Sequence, residues 1–392
     1  MSKILIISNK YQFFGGSEQV VLNEIKLFQN HGDQVFHYQL DNKIIKQYNI
    51  FDKIKFFFNA VYNIRVKKNI SKIIKRFEPD VIHVHNIYPL ISLSVYAVLK
   101  NVNVPVLQSF HDHRLSGLCP QGNAYRSGKA CEKCFSGNFI YSIYYKCVKE
   151  NILLSTIYSI NLFFDKRLKI IERSIDYAIV FNDYMKNRLL KSGFNSKKIF
   201  IKPHFIFGDK IIPTFAQENY IVYIGAVSNH KGVLTLLKAY SLLKNKINLK
   251  IVGTGDCDFL AKKFSEDNDL DKVEFLGEIR NEKTKFTILK NSLFSIIPSE
   301  CYETFCLTAI ESMGCGVPII STKIGSLQYL VQDGKNGLSF EVGNHKELTL
   351  KMESLINNKT IALKFGKNGR KQFLDNYTDD SNYRLYQTLI DK

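Results

Sequence analysis

At 392 residues the chain is long enough for two ordinary domains, each with its own core. Its 45% hydrophobic and 13% aromatic content excludes a disordered polymer, and no window approaches the roughly 18 uninterrupted apolar residues that span a bilayer. The net charge of +18 is unevenly spread, with 30 Lys and Arg against 14 Asp and Glu in residues 1–205 and 24 against 22 in the remainder.

A basic N-terminal half suits an anionic surface, either nucleic acid or the acidic inner leaflet of a membrane, unless it reflects coding bias alone. No RNP, zinc-finger or helix-turn-helix signature accompanies it, which disfavours nucleic acid as a partner. The opening MSKILIIS has no small-residue cleavage site and reads as a first strand, not a secretory signal. A cytoplasmic protein with eight reduced cysteines is therefore expected.

Ile4 to Ser8 forms the first buried strand. Phe14, Gly15, Gly16 and Ser17 make a loop before an amphipathic helix from Glu18 to Asn30, and its glycines let backbone approach a ligand closely at a helix start. Residues 43–77 mix lysines and aromatics at helical spacing, which fits either a membrane surface or a helix that covers the sheet with snorkelling lysines. PDVIHVHNIY (Pro79 to Tyr88) and VPVLQSFHDHR (Val104 to Arg114) are strands ending in polar residues, so His83, His85, His111 and Asp112 collect where an open parallel sheet receives ligands.

Cys119, Cys131, Cys134 and Cys147 follow in C-x11-C-x2-C-x12-C spacing within an insert at 117–150. Four thiols around a central C-x2-C fit a structural zinc; four unligated thiols are the alternative. Ile152 to Ile171 is apolar enough for a buried helix or contact with a lipid acceptor, but Asn161 and Asp165 argue against a membrane span. Asp176 to Phe181 is a further strand, and a linker is expected near Ile206 to Glu218.

The second half restarts with a strand at Tyr220 to Gly225, then AVSNHKGVLTLLKAY with Lys231 and Gly232 at a strand–loop–helix junction. LKIVGTGD and VEFLGEIR are two more strand ends. An apolar strand, Leu293 to Ile297, leads into PSECYETFCLTAIESMGCGVPII, where a helix starting at Phe305 buries Leu307, Ala309, Ile310 and Met313 until Gly314 and Gly316 stop it. Glu303 precedes this helix and Glu311 lies eight positions further on. A helix N-terminus between them is an anion site, because its first N–H groups have no partner inside the helix. Helices at Lys346 to Asn358, Ile361 to Tyr377 and Asp379 to Asp391 complete the chain.

The E-x7-E pair in its PSE…AIE…G-PII setting, the Gly-Gly followed by SEQVVLNEIKLFQNHGDQV, the HD after a strand and the Lys-Gly pair resemble the retaining glycosyltransferases of family 4 (glycosyl transferases group 1). The HD-hR-LCP…C-x2-C…C insert resembles a subset associated with bacterial surface polysaccharides such as capsule and lipopolysaccharide, and would form a knob or lid beside His111. The resemblance implies an α/β GT-B architecture of two facing Rossmann-like domains. An acceptor-side domain at 1–205, a linker at 206–218, a donor-binding domain at 219–378 and a C-terminal helix at 379–392 returning to the first domain would make it up.

The same resemblance implies a nucleotide-diphosphate sugar donor and a glycan or lipid-linked acceptor. Gly15, Gly16, Lys231 and the backbone of Phe305, Cys306 and Leu307 would meet the diphosphate, Glu278 and Ile279 the base, Glu311 the ribose, and Glu303 and His111 the reacting sugar. His85 and Asn86 would support His111 or touch the acceptor. No metal is required for catalysis in this scheme. Ala226 departs from the family pattern, which has an arginine there, and that departure favours the alternative of a noncatalytic nucleotide-sugar or glycan-binding partner. A nucleic-acid binder, the third possibility, rests on charge only.

Overall fold

The computed structural model describes residues 1–11, 15–208, 211–215 and 218–390. Phe14 of the first loop, Asp209, Lys210, Ala216 and Gln217 of the expected linker, and Asp391 of the last helix lie outside them. The chain divides into two units. One contains Met1–Ala124, Cys131–Pro203 and Tyr383–Lys392, and the other contains Tyr125–Ala130 and His204–Asn382.

In the first unit, apolar runs give strands β1 (Lys3–Lys10) and, after the mixed and partly exposed edge strand β2 (Gln34–Asp41), β3 (Val81–Val84) and β4 (Val106–Ser109). A short antiparallel hairpin, β5 (Tyr125–Arg126) with β6 (Lys129–Ala130), interrupts the series and is grouped with the second unit. Strands β7 (Tyr177–Val180) and β8 (Ile199–Ile201) then complete a six-stranded sheet in the order β2-β1-β3-β4-β7-β8. Its pairings are parallel, with Ile4 opposite both Val35 and Val81. Ile4, Leu5, Ile6 and Ile7 are completely buried, as expected for a strand covered on both faces.

Helix α1 (Gly16–Asn30) turns Val20, Val21, Glu24, Leu27 and Phe28 inward. Four of the five are apolar; Glu24 is a carboxylate set in the same buried stripe. Residues 42–77 form a 3₁₀ turn and helices α2 (Ile50–Val61) and α3 (Ile64–Phe77). In α2, Phe56 and Ala60 pack with Leu90 and Ile157. Its opposite face carries Ile50, Phe51, Ile54 and Phe58, which are 54% to 70% exposed. At i, i+1, i+4 and i+8 these four form one stripe. The helix Ile152–Leu168 is anchored by Asn161, whose amide donates to the carbonyl of Ala60. No helix of the described residues is long and apolar enough to cross a membrane.

The second unit holds β9 (Tyr220–Ile224), β10 (Asn248–Val252), β11 (Val273–Gly277), β12 (Ser295–Ile297), β13 (Ile319–Thr322) and β14 (Gly337–Phe340). They form one parallel sheet in the order β11-β10-β9-β12-β13-β14. Its core is built from Ile221, Leu236, Tyr240, Leu249, Ile251, Phe294 and Ile320 among others. Helices His345–Asn357 and Lys359–Asn376 follow within two residues of their expected bounds.

The last helix, Asp379–Ile390, passes from the second unit to the first at Tyr383. There the Tyr386 ring lies 4.4 Å from Phe28, Tyr383 stacks 3.6 Å from His31, and the Tyr383 hydroxyl donates to Asp33 Oδ2 at 3.1 Å.

In each sheet the strand order reverses once, between β1 and β3 and between β9 and β12. Connections leaving such a pair diverge to opposite faces and open a crevice at the carboxyl ends of the strands, where ligands bind in open α/β sheets.

Candidate active site

The crevice of the second unit is lined by the loop after β9 and the loop after β12. Their close approach depends on glycine. Gly232 has φ +71, and a Cβ there would lie 1.9 Å from the carbonyl oxygen of Pro298, so only glycine lets the two loops touch. A Cβ at Gly325 would likewise lie 2.6 Å from the carbonyl oxygen of Glu303, which accepts a hydrogen bond from the Ser326 amide at 2.9 Å.

These contacts bring Lys231 and Glu303, 72 residues apart, into an ion pair with Nζ 2.5 Å from Oε1. The Ser299 hydroxyl donates to the same oxygen at 2.7 Å. Burial pushes the Glu303 carboxyl up, but Lys231 and Ser299 outweigh it and hold the group below the usual carboxylate range. Burial alone would lower Lys231; Glu303 reverses that and keeps it charged. Burial, then Lys231, lowers the neighbouring His230, whose Nδ1 lies 3.1 Å from the Ser228 hydroxyl.

The helix after Glu303 begins at Leu307, two residues later than the apolar pattern suggests. Phe305 is drawn out of the first turn by its own packing, its ring lying 4.9 Å from His204 and 6.2 Å from Tyr377. Cys306 takes the N-cap position with an extended backbone (φ −115, ψ 102), and no side chain caps the helix. Burial, then the Glu303 charge, pushes the Cys306 thiol up to about 12, so at neutral pH it is a thiol and not a nucleophilic thiolate. Gly316 (φ +71) terminates the helix just beyond the Cys315 C-cap.

Glu311 sits in the buried part of the helix, and its Oε1 accepts from Lys285 Nζ at 2.6 Å. Lys285 carried no sequence signal, because its link to Glu311 spans 26 residues and two elements. Ala226 is exposed and supplies the carbonyl that accepts the Tyr223 hydroxyl at 2.6 Å. Ile279 is half-buried just past Gly277, while Glu278 is exposed and paired with Arg280 at 2.9 Å.

The remaining candidates belong to the first unit. Gly15 is the N-cap of α1 and Gly16 its first residue. Gly15 has an extended backbone (φ −147, ψ 178), and among the described residues a Cβ would meet nothing within 4 Å. His111 is buried, with Nε2 2.8 Å from His85 Nδ1. His83 Nε2 lies 2.9 Å from the Ser109 hydroxyl. Asp112 turns instead to Arg114, which also donates to the carbonyls of Pro120 and Gln121 and so pins the base of the insert.

Cys119, Cys131, Cys134 and Cys147 lie within this unit and form no disulfide. Burial, then the nearness of Cys119, Cys147 and Cys131, pushes the Cys134 thiol up to about 12, so those three sulfurs lie within electrostatic reach of Cys134, although no three of the four come within 4.8 Å of one another. The group among the described residues whose potential ligand atoms all lie within 4.8 Å is Glu24, His83 and His85. There Lys202 Nζ already pairs with Glu24 at 2.6 Å. The insert does not stay wholly with the histidines: the hairpin Tyr125–Ala130 belongs to the second unit, where the Tyr125 ring lies 6.0 Å from His230.

Residues 14–206 match the family described as Glycosyltransferase Family 4, and residues 208–372 match Glycosyl transferases group 1. The chain carries both domains of a family 4, group 1 glycosyltransferase. An uncharacterized glycosyltransferase, MJ1178 of Methanocaldococcus jannaschii, is 30% identical over 196 residues, 50% of this chain and 54% of that protein. The O-antigen chain mannosyltransferase C of Escherichia coli is 26% identical over 180 residues, 44% of this chain and 48% of that protein. The matches thus span about half the length of these curated relatives.

HepE of Anabaena, solved in complex with UDP, superposes with a TM-score of 0.70 at 14% identity and covers 100% of both chains. At that identity the likeness establishes the fold, which is GT-B. The Lys231–Glu303 pair therefore lies in the group 1 domain, and His111 and the glycine pair lie in the family 4 domain.

Because the folded Glu303 carboxyl titrates below its unfolded value, its contribution to stability is fully present above the unfolded pKa and lost as pH falls through the lower folded one. Glu303→Gln should make the acid limb of the stability curve shallower below the usual glutamate range. Urea unfolding across that range checks this, and identical limbs in both proteins would contradict it.

Proposed function

We propose that the chain is a retaining glycosyltransferase that moves a sugar from a nucleotide diphosphate to a glycan or lipid-linked acceptor. The observation that carries the reading is the Lys231–Glu303 pair at the reversal of the second sheet, set beside a helix start that no side chain caps and one turn or more from Glu311. An ammonium and open amides suit a leaving diphosphate, and flanking carboxylates suit sugar and ribose hydroxyls. In this reading the C1–O bond to the phosphate breaks while the acceptor oxygen bonds C1 on the same face, and the leaving phosphate takes the acceptor's proton. Glu303 and His111 then orient hydroxyls. The fixed Lys231 charge meets the developing phosphate charge, so the reading requires no metal at the reacting centre.

The O-antigen mannosyltransferase relationship supports a place in bacterial surface-polysaccharide synthesis, at the cytoplasmic face of the membrane. The exposed stripe of Ile50, Phe51, Ile54 and Phe58 is flanked on α2 by Lys53 and Lys55, with Arg65, Lys67 and Lys68 exposed on α3. Apolar side chains edged by cations fit an interface of anionic lipid. The C-x11-C-x2-C-x12-C spacing suits a structural zinc, which would have to draw Cys119, Cys131 and Cys147 closer to Cys134 and would then crosslink the insert in place of a larger core. The missing cation at Ala226 favours a second reading, a noncatalytic nucleotide-sugar binder, which the first experiment below separates from the transferase.

Lys231→Ala and Glu311→Ala should each lower sugar transfer at least a hundredfold while the far-UV circular dichroism spectrum remains that of the folded protein. Full turnover in both would remove the donor-site assignment, and nucleotide binding without any transfer in the unaltered protein would favour the binder. Metal analysis of the purified chain should find about one zinc, lost in Cys131→Ser/Cys134→Ser; zinc well below one per chain would end that part. The protein should sediment with vesicles containing anionic phospholipid and not with purely zwitterionic ones. Phe51→Ser/Phe58→Ser should abolish that sedimentation, and unchanged binding would exclude α2 as the contact.

A further inference from the structure

The cysteine insert contributes one piece of itself to the second unit. Strands β5 and β6 pair with Tyr125 opposite Ala130 and Arg126 opposite Lys129, joined by a two-residue turn in which Ser127 (φ 49) and Gly128 (φ 76) are both left-handed. Such a turn matches the twist of a hairpin, and the Cys131 amide closes its base by donating to the Ala124 carbonyl at 2.7 Å. Pleating puts Tyr125 and Ala130 on one face of this prong and Arg126 and Lys129 on the other. A two-stranded hairpin has no core of its own and is marginal in water, so its place is set by what it touches. The Tyr125 ring, half-buried, lies 6.0 Å from the ring of His230 at an angle of 57°. Burial, then the charges of Glu300, Cys301, Cys257 and Asp256, pushes the Tyr125 hydroxyl up to about 12, so it stays a neutral phenol. Tyr125 thus meets the loops after β9, β10 and β12, three neighbouring strands of the second sheet.

We propose that Tyr125 is a positioning residue for the donor: its ring packs on His230 and so holds the loop that presents Lys231 to the diphosphate. The inference rests on the reading of Lys231 as the diphosphate cation. Backbone fixes that loop at two points. The Val227 amide donates to the Thr254 carbonyl at 3.1 Å and the Val227 carbonyl accepts from the Cys257 amide at 2.9 Å, while the His230 carbonyl accepts from the Glu300 amide at 2.9 Å. A Cβ at Gly255 would lie 2.3 Å from the Val227 carbonyl oxygen, so the loops after β9 and β10 approach as closely as those after β9 and β12. Between these points Asn229 is exposed, and the His230 side chain is held by the Ser228 hydroxyl at 3.1 Å and the Tyr125 ring. A lysine is a point charge on a flexible stem, so it serves a developing charge only as well as its backbone is fixed. With alanine at 226 this placement matters the more. The hairpin of the insert then serves the donor crevice and not the acceptor side expected of it.

The full-length protein tests this in two ways. The chain has no tryptophan, so Tyr125→Trp supplies a single fluorophore on the hairpin and needs no ligand. Its emission should lie to the blue of the unfolded chain, and iodide quenching should at least double in Tyr125→Trp/His230→Ala; emission of a hydrated indole that His230→Ala leaves unchanged overturns the inference. UDP, GDP and ADP are then titrated by calorimetry. Tyr125→Ala should weaken whichever of them the unaltered protein binds about tenfold and raise the donor KM by the same factor, with the acceptor KM within twofold, and Tyr125→Phe, which keeps the ring, should restore both. Unchanged nucleotide affinity in Tyr125→Ala, a rise in the acceptor KM instead, or Tyr125→Phe as weak as Tyr125→Ala overturns the inference and leaves the transferase reading standing. An unaltered protein that binds none of the three overturns that reading and the role of Tyr125 with it, while the fluorescence still reports where the hairpin sits.

Discussion

Two loops that leave neighbouring parallel strands in opposite directions can meet only if nothing stands between their backbones, and Gly232 against Pro298 is where this chain meets that constraint. The Lys231–Glu303 pair follows from it. With Gly232 tight on Pro298, the ammonium and the carboxylate of adjacent loops fall within hydrogen-bond distance. Each then holds the other charged in surroundings that would otherwise neutralise both. Gly325, closing on the backbone of Glu303 from the far side, removes the remaining freedom of that loop. Two fixed opposite charges at a ligand crevice form a site whose electrostatics exist before any ligand arrives.

The first unit solves a related problem differently. Its crevice also opens where strand order reverses, but the groups behind it are histidines at strand ends, backed by a carboxylate from the helix and a lysine from beyond the edge strand. Here charge is hidden instead of presented, in a cluster of Glu24, Lys202, His83 and His85. The two units thus use the same α/β frame for two arrangements of charge, an ion pair at the crevice in one and a buried cluster in the other. Fold alone would not distinguish them.

Surface composition separates the units further. The positive excess lies in residues 1–205, and α2 adds an apolar stripe that no described part of the chain covers. A helix with apolar side chains both toward Leu90 and Ile157 and toward solvent is not explained by packing of the unit to which it belongs. The amphipathic pattern of residues 43–77 left a core-covering helix and a surface-seeking one equally open. Only the burial of Phe56 against the exposure of Phe51 and Phe58 separates the two faces.

Apolar periodicity, glycine position and polar strand ends located β1, β3, β4, β7 and β9 to β12 and the helices near 18–30, 346–358 and 361–377, because these depend on neighbours within a few residues; β2, β8, β14 and the helices at 183–191, 258–267 and 282–290 were not singled out. The family resemblance, read on local motifs, selected Lys231, Glu303, Glu311 and the cysteine insert; Glu24, a charge inside an apolar stripe, was not singled out. What the sequence could not decide was partnership. That Lys285 takes Glu311, that Lys202 takes Glu24, that the helix waits until Leu307 because Phe305 packs on His204 and Tyr377, and that the hairpin at Tyr125 leaves the unit of its flanking residues are all matters of distant segments in contact. Local pattern records which face of an element is buried; the identity of the group across the interface is set by how whole sheets and helices pack, and that information exists only once the chain has folded.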